Sequence, residues 1–158
     1  MHLQGELTLS DKRPASRSYS AAGYALTRQF EGLRLMAYRD LAGVWTVGYG
    51  HTGPDVVEGM TITEAEAELL LGHDVAVAAA CVEAAVAVNL TQGQFDALVD
   101  FVFNLGCGAL RGSTLLRRVN AGQFALAAAE FSRWTHAGGT VVPGLLARRL
   151  AERERFES

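Results

Sequence analysis

The sequence predicts an α+β fold, mostly helical, with a small β-hairpin lobe, a long connecting helix and a larger helical lobe. Three observations carry this. Residues 38–51 abandon helical periodicity for a run rich in Gly, Val, Tyr, Trp and Thr. Thr63-Glu64-Ala65-Glu66 and Thr91-Gln92-Gly93-Gln94 are capping boxes, each placed before a long run of helix formers. Downstream, Gly and Pro mark off several further short helical segments.

The elements follow in order. Residues 20–34 read as a first helix with Ala25, Leu26, Phe30 and Leu33 on one face and Gly32 near its end. Val44 to Tyr49 suits a strand, and Asp40-Leu41-Ala42-Gly43 suits the turn that leads into it. A helix opens at Thr63 and runs to about Val88, where Asn89-Leu90 breaks it. The next opens at Thr91. Its apolar residues Phe95, Leu98, Val99, Val102, Phe103 and Leu105 cover more than one face, so it is expected to be the most buried, with Gly106 and Gly108 stopping it. Helices over 113–120 and 123–134, a loop at Gly138-Gly139 and a last helix from Pro143 to about Phe156 complete the chain. The expected organisation is a polar tail over 1–20 and one domain over 21–158. That domain divides into a small lobe about 21–62, a linking helix about 63–88 and a helical lobe about 90–156.

Composition narrows the class. With 158 residues, 49% hydrophobic and 20% charged, the chain is large enough for one well-packed domain. No run approaches the roughly 18 to 20 apolar residues of a membrane span. The first twenty residues lack an apolar h-region, so neither a secretory signal nor an anchor is expected. The net charge of −3 hides a division: residues 31–110 hold two basic and eleven acidic side chains, and residues 111–158 hold eight basic and four acidic. The basic third is read either as a surface for an anionic polymer or as solvated arginines on helix faces. The acidic middle and the lack of Arg/aromatic interleaving argue against nucleic acid. Cys81 and Cys107 are too few for a disulfide scaffold and lack metal-ligand spacing. They are either buried thiols or a single bridge, the reduced state being favoured for a chain that folds in a cytoplasm.

Glu31, Asp40 and Thr46 bring two carboxylates and a hydroxyl within sixteen residues, at the junction of the first helix and the hairpin. A proton donor on one side and a group that handles water on the other are the minimum equipment for cleaving a glycosidic bond. Glu31 suits the general acid, a role that needs its proton retained near working pH. Asp40 suits an ionised base that activates water, and also suits a turn aspartate bonding its own backbone; both roles can coexist. Thr46 alone reads as strand packing, but beside Asp40 it suits a water-holding group.

At these residues the chain resembles the phage-type lysozymes of glycoside hydrolase family 24. The family's pattern of Glu, eight residues, Asp, five residues, Thr is filled by Glu31, Asp40 and Thr46. The surrounding blocks GVWTVGYGHT, LTQGQFDALVDFVFNLG and PGLLARRLAER match in the same order, and the likeness runs over roughly 24–156. The resemblance implies a lysozyme-like two-lobed fold with Glu31 and Asp40 facing each other across a cleft. It implies a muramidase cutting the β-1,4 bond between N-acetylmuramic acid and N-acetylglucosamine in peptidoglycan, with no metal and no cofactor. It implies a monomeric phage endolysin made in the host cytoplasm and acting on glycan strands of the wall. Many members carry an N-terminal signal-anchor; the expectation is either that export depends on a holin or that an anchor precedes this stretch of chain. The resemblance also implies that His51 pairs with Asp74 to clamp hairpin to helix, and that Thr52, Phe103, Asn104 and Ser113 line the saccharide cleft. Arg148 or Arg149 is expected behind Glu31, the alternative being a solvated arginine. An Asp paired with a water-holding Thr fits an inverting mechanism. Two rivals remain: a lytic transglycosylase, against which Asp40 and Thr46 argue, and a catalytically silent wall-binding module, against which the complete triad argues.

Overall fold

The computed structural model describes residues 17–158. Most of the expected polar tail, residues 1–16, lies outside the described residues. Its last residues do not behave as a tail. Ser20 caps helix α1 (Ala21–Glu31) by accepting from Gly23 N at 3.2 Å, and its own N–H and hydroxyl both donate to the Asp96 carboxylate.

Gly32 ends α1 at φ 67°, a left-handed conformation that side-chain-bearing residues rarely adopt. The helix therefore stops three residues before the expected boundary, and the chain turns at once into strand β1 (Arg34–Arg39). Strands β2 (Trp45–Gly48) and β3 (His51–Thr52) complete an antiparallel sheet in the order β1-β2-β3, a sheet larger than the single expected hairpin. Helix α2 (Glu64–Ala85) opens on the first capping box, with Glu66 N donating to Thr63 Oγ1 at 3.1 Å and Thr63 N to Glu66 Oε2 at 2.7 Å. Helix α3 (Gln92–Leu105) opens on the second. Gly108, expected to help stop α3, instead lies inside a short helix α4 (Cys107–Arg111). Helices α5 (Thr114–Asn120) and α6 (Phe124–Glu130) follow, and α6 tightens into a 3-10 turn over Phe131–Arg133. Gly138-Gly139 forms the turn of a hairpin, β4 (His136–Ala137) with β5 (Thr140–Val141), where only a loop was expected. Helix α7 (Pro143–Glu157) starts with proline in its first turn.

Among the described residues two apolar clusters divide the fold. Ala37, Val47 and Val56, with Trp45, Met60, Ile62 and Leu70 against them, fill the sheet lobe. Leu71, Val75, Val82, Phe95, Leu98, Phe101, Phe131 and Phe156 are among those filling the helical lobe. Helix α2 contributes to both, so it is the rigid element between them. Helix α3 is buried continuously from Gly93 to Val102, as expected, and that stretch includes two carboxylates, Asp96 and Asp100. Buried charges must be paired, and their partners come from α7. Arg155 Nη2 reaches Asp96 at 2.6 Å, and Arg148 donates from Nε and Nη2 to Asp100, both at 2.9 Å. The acidic middle and part of the basic C-terminal third thus neutralise each other inside the fold. For Arg148, Arg149 and Arg155 neither the polymer-binding nor the solvated reading applies: Arg148 and Arg149 are buried and Arg155 is part-buried in its ion pair.

The same α3 carboxylates fasten α1 to the helical lobe, through Ser20 on Asp96 and Thr27 Oγ1 on Asp100 at 2.7 Å. The expected apolar face of α1 is at most half-buried, and its buried positions are Gly23 and Thr27. Although α1 was expected within the small lobe, its buried anchoring bonds run to α3 and α7, and an exposed Arg28–Glu68 ion pair ties it to α2.

Cys81 on α2 and Cys107 at the start of α4 form a disulfide, not the reduced pair favoured from sequence; their Cα atoms lie 5.9 Å apart. The bridge closes a sequence separation of 26, for which loop-closure entropy gives about 3.5 kcal/mol of stabilisation. Reductant should lower the urea midpoint of the wild-type chain and leave that of a Cys81→Ser/Cys107→Ser double variant unmoved. Equal wild-type midpoints with and without reductant would show that the bridge contributes nothing.

Candidate active site

Glu31 is the last residue of α1, so its side chain leaves the helix just where Gly32 redirects the backbone. Arg148 Nη1 donates to Glu31 Oε1 at 2.6 Å, which settles the choice between Arg148 and Arg149 as the arginine behind Glu31. Arg149 is used elsewhere, donating to Asn104 Oδ1 at 2.6 Å and pairing with Glu152. Glu31 Oε2 faces Gly50, in the turn between β2 and β3. A methyl group at Gly50 would lie 2.5 Å from that oxygen, and the backbone there sits at φ 75°, so glycine is required twice over. The sheet lobe and Glu31 therefore meet at a point with no room for a side chain.

Asp40 follows β1 directly and closes the turn onto β2. Its Oδ1 accepts from Ala42 N and Val44 N, both at 2.9 Å, which is the self-bonding turn role expected from sequence. The same residue is tied to Thr46 through Val44, whose carbonyl accepts from Asp40 N and from Thr46 Oγ1, each at 3.0 Å. Among the described residues no hydrogen bond reaches Asp40 Oδ2. Thr46 is buried and pairs across strands with Tyr38 and Thr52, which puts those three side chains on one face of the sheet.

His51 is held on both sides. Nδ1 lies 2.7 Å from Asp74 Oδ2 on α2, the expected pair, and Nε2 lies 2.9 Å from Asp55 Oδ2, a partner not foreseen. Burial pushes the His51 pKa down, but the hydrogen bonds to Asp74 and Asp55 outweigh it and leave the imidazolium favoured above its ordinary value. The Asp55 carboxyl is held below its usual range by its bond to His51.

A cleft of about 430 Å³ opens beside His51, and Glu31, Asp40 and Thr46 are not among its lining residues. Gly50, His51 and Thr52 from the sheet lobe and Asp74, Val77 and Phe103 from helices α2 and α3 are among its lining residues. Thr52 and Phe103, two of the expected saccharide-lining residues, line this cleft. Asn104 is not among the lining residues, and its carbonyl is occupied by Arg149. Ser113 is a correction. It is buried at the start of α5, donates to Leu110 O at 2.6 Å and accepts from Leu116 N at 3.0 Å, so its hydroxyl is committed to a helix cap. Among the described residues, no group of three or more His, Cys, Asp or Glu is disposed to hold a metal ion.

Two supporting residues escaped the sequence reading. Asp55 stands four residues after His51, a spacing that signals little outside a helix. Asp100 was legible in principle: Asp96 and Asp100, four apart in an otherwise apolar helix, share one face and require buried cationic partners. Burial pushes the Asp100 carboxyl up, but the hydrogen bonds from Arg148 help hold it below the usual range.

Residues 28–152 match the family model described as Phage lysozyme. The chain is 48% identical over 141 residues to an endolysin of Bacillus phage PZA, an overlap of 88% of this chain and 55% of that one. It is 44% identical over 143 residues to an endolysin of Acyrthosiphon pisum secondary endosymbiont phage 1, covering 88% of this chain and 97% of that one. The solved muramidase domain of SpmX from Asticaccaulis excentricus superposes with a TM-score of 0.84 at 40% identity, over 90% of this chain and 99% of that domain. The chain spans about half the length of the Bacillus phage endolysins it matches. The superposition bears out the expected lysozyme-like, mostly helical α+β fold.

The His51 clamp has a pH signature. A raised folded-state pKa stabilises the fold fully below the ordinary histidine value, about 6.5, and that contribution is lost as pH rises through the folded value. The lowered Asp55 pKa works the other way, stabilising above its ordinary 3.8 and failing as pH falls through the folded value. His51→Gln should therefore cost most stability between about pH 4 and 6.5, with the deficit shrinking at higher pH. Urea midpoints of both proteins from pH 4 to pH 9 check this; a deficit constant across that range would contradict it.

Proposed function

We propose that this chain, which belongs to the phage lysozyme family, is a peptidoglycan hydrolase: a muramidase that cleaves the β-1,4 bond between N-acetylmuramic acid and N-acetylglucosamine. The observation that carries this reading is the asymmetry of the two carboxylates. Glu31 is held by a buried arginine on one oxygen and turns the other toward Gly50, a residue that lines the cleft. Asp40 is held by backbone N–H groups on one oxygen, and its other oxygen takes no bond among the described residues.

The chemistry follows from which atoms are free. Glu31 Oε2 donates its proton to the glycosidic oxygen as the bond to the anomeric carbon breaks. Thr46 already donates its hydroxyl hydrogen to Val44 O, so toward water it offers only an acceptor. A water that donates one hydrogen to Thr46 Oγ1 and the other to Asp40 Oδ2 keeps a lone pair for the anomeric carbon. Asp40 takes a proton from that water as it attacks from the face opposite the leaving group, and its charge offsets that of the oxocarbenium-like transition state. The product is inverted. A lytic transglycosylase would need no water-holding pair, and a silent binding module would need no anchored acid.

In this reading the chain works as a monomer on glycan strands, without nucleic acid and without stable membrane association. His51, Asp74 and Arg148 support the site, and Thr52 and Phe103 contact saccharide. As a phage endolysin it is made in the host cytoplasm and acts on the peptidoglycan of the wall.

Glu31→Gln should clear purified peptidoglycan about 10²–10⁴-fold more slowly than wild type while keeping its circular dichroism spectrum. Equal clearing would end the assignment of Glu31. Proton NMR early in hydrolysis should show the new reducing end in the α configuration; β product would exclude the inverting route, and 1,6-anhydro ends would point to a transglycosylase. Thr46→Val should slow turnover and leave binding to insoluble peptidoglycan unchanged in a pull-down assay.

A further inference from the structure

We propose that Asp100 is a positioning residue for Glu31, acting through Arg148; the inference rests on the reading of Glu31 as the proton donor. The guanidinium is planar and its five N–H directions are fixed relative to one another. Asp100 occupies one edge of that plane, accepting from Nε and Nη2 at 2.9 Å each. With that edge engaged, the direction of Nη1 is no longer free, and Nη1 is the atom that bonds Glu31 Oε1 at 2.6 Å. Asp100 therefore sets where the acid is held, although it never meets the substrate.

Asp100 is suited to this because it is itself immobile. It is wholly buried on α3. Its Oδ1 also accepts from Thr27 Oγ1 at 2.7 Å, and Thr27 lies one turn before Glu31 on α1. Thr27 Oγ1 is in turn 2.6 Å from the Tyr19 hydroxyl, which donates to it because the threonine proton is spent on Asp100. One carboxylate thus fixes both the helix that carries Glu31 and the arginine that grips it. The other nearby carboxylate does not substitute: Glu152 pairs with Arg149 at 2.8 Å and lies 3.9 Å from Arg148 Nε.

A purely structural Asp100 would neutralise a buried cation and nothing more, so its loss would lower stability and leave turnover per folded molecule unchanged. A positioning Asp100 predicts a different split. Asp100→Asn keeps the shape but offers one acceptor in place of two, so the fork loses a tine and Nη1 can swing. On soluble glycan fragments of defined length, with rates normalised to the folded fraction, kcat should fall about 100-fold while KM stays within about twofold of wild type. Thr27→Val keeps the fork and removes only the hydroxyl, so it should give a smaller fall in kcat, again without a KM change. If Asp100→Asn does not fold, Asp100→Glu, which keeps the charge but displaces the two acceptors, decides the matter, a fall in kcat supporting the inference and wild-type kcat overturning it. Wild-type kcat in the folded variant overturns the inference, as does a raised KM at unchanged kcat. Glu31→Gln in the same series separates the two readings. If it is inactive while Asp100→Asn is fully active, the positioning role fails and the proposed function stands. If Glu31→Gln keeps its turnover, the site assignment fails and the positioning role with it.

Discussion

The guanidinium of Arg148 is the contact on which the rest of the arrangement depends. It lies almost wholly inside the protein, with Asp100 on one edge and Glu31 on another. Desolvating a cation and a carboxylate together is expensive, and such a pair is tolerated only with near-complete hydrogen bonding. Asp100 meets that condition with bonds from Arg148 and Thr27. Helices α1, α3 and α7, remote in sequence, are therefore locked to one another by polar contacts of defined direction. Apolar packing could hold the same helices together, but it would not specify where a carboxyl oxygen points.

The sheet lobe is attached by different means. Its own apolar cluster is small, and α2 passes from that cluster into the larger one. His51 ties the sheet to α2 through Asp74 and ties the following loop back through Asp55. Gly50 lets the β2–β3 turn approach Glu31 more closely than any side chain would allow. The cleft is thus lined by residues of the sheet lobe and of helices α2 and α3 together.

Much of the fold was legible along the chain. The two capping boxes are local motifs, complete within four residues, and both helices begin where those motifs stand. The Asp40 turn is local as well, and its self-bonding geometry was foreseen. The end of α1 was misjudged because apolar spacing continues past Glu31, whereas the backbone conformation of Gly32 outranks that pattern. Ser113 was misjudged for a related reason. A serine in a cleft-lining motif and a serine at a helix N-cap look alike until the N–H of Leu116 is seen to occupy it.

By itself the sequence determined the spacing of the candidate triad, the start of each long helix and the burial of α3, because each depends on residues close to one another along the chain. Only the tertiary structure decided that Arg148 and not Arg149 meets Glu31, that Asp100 stands behind both, that His51 has a second carboxylate, and that Cys81 and Cys107 are bridged. Each of those joins residues on different elements, often far apart in sequence. Which of two adjacent arginines faces a glutamate 117 positions away is set by the rotation of α7 against α3 and α1, and no local propensity encodes that angle.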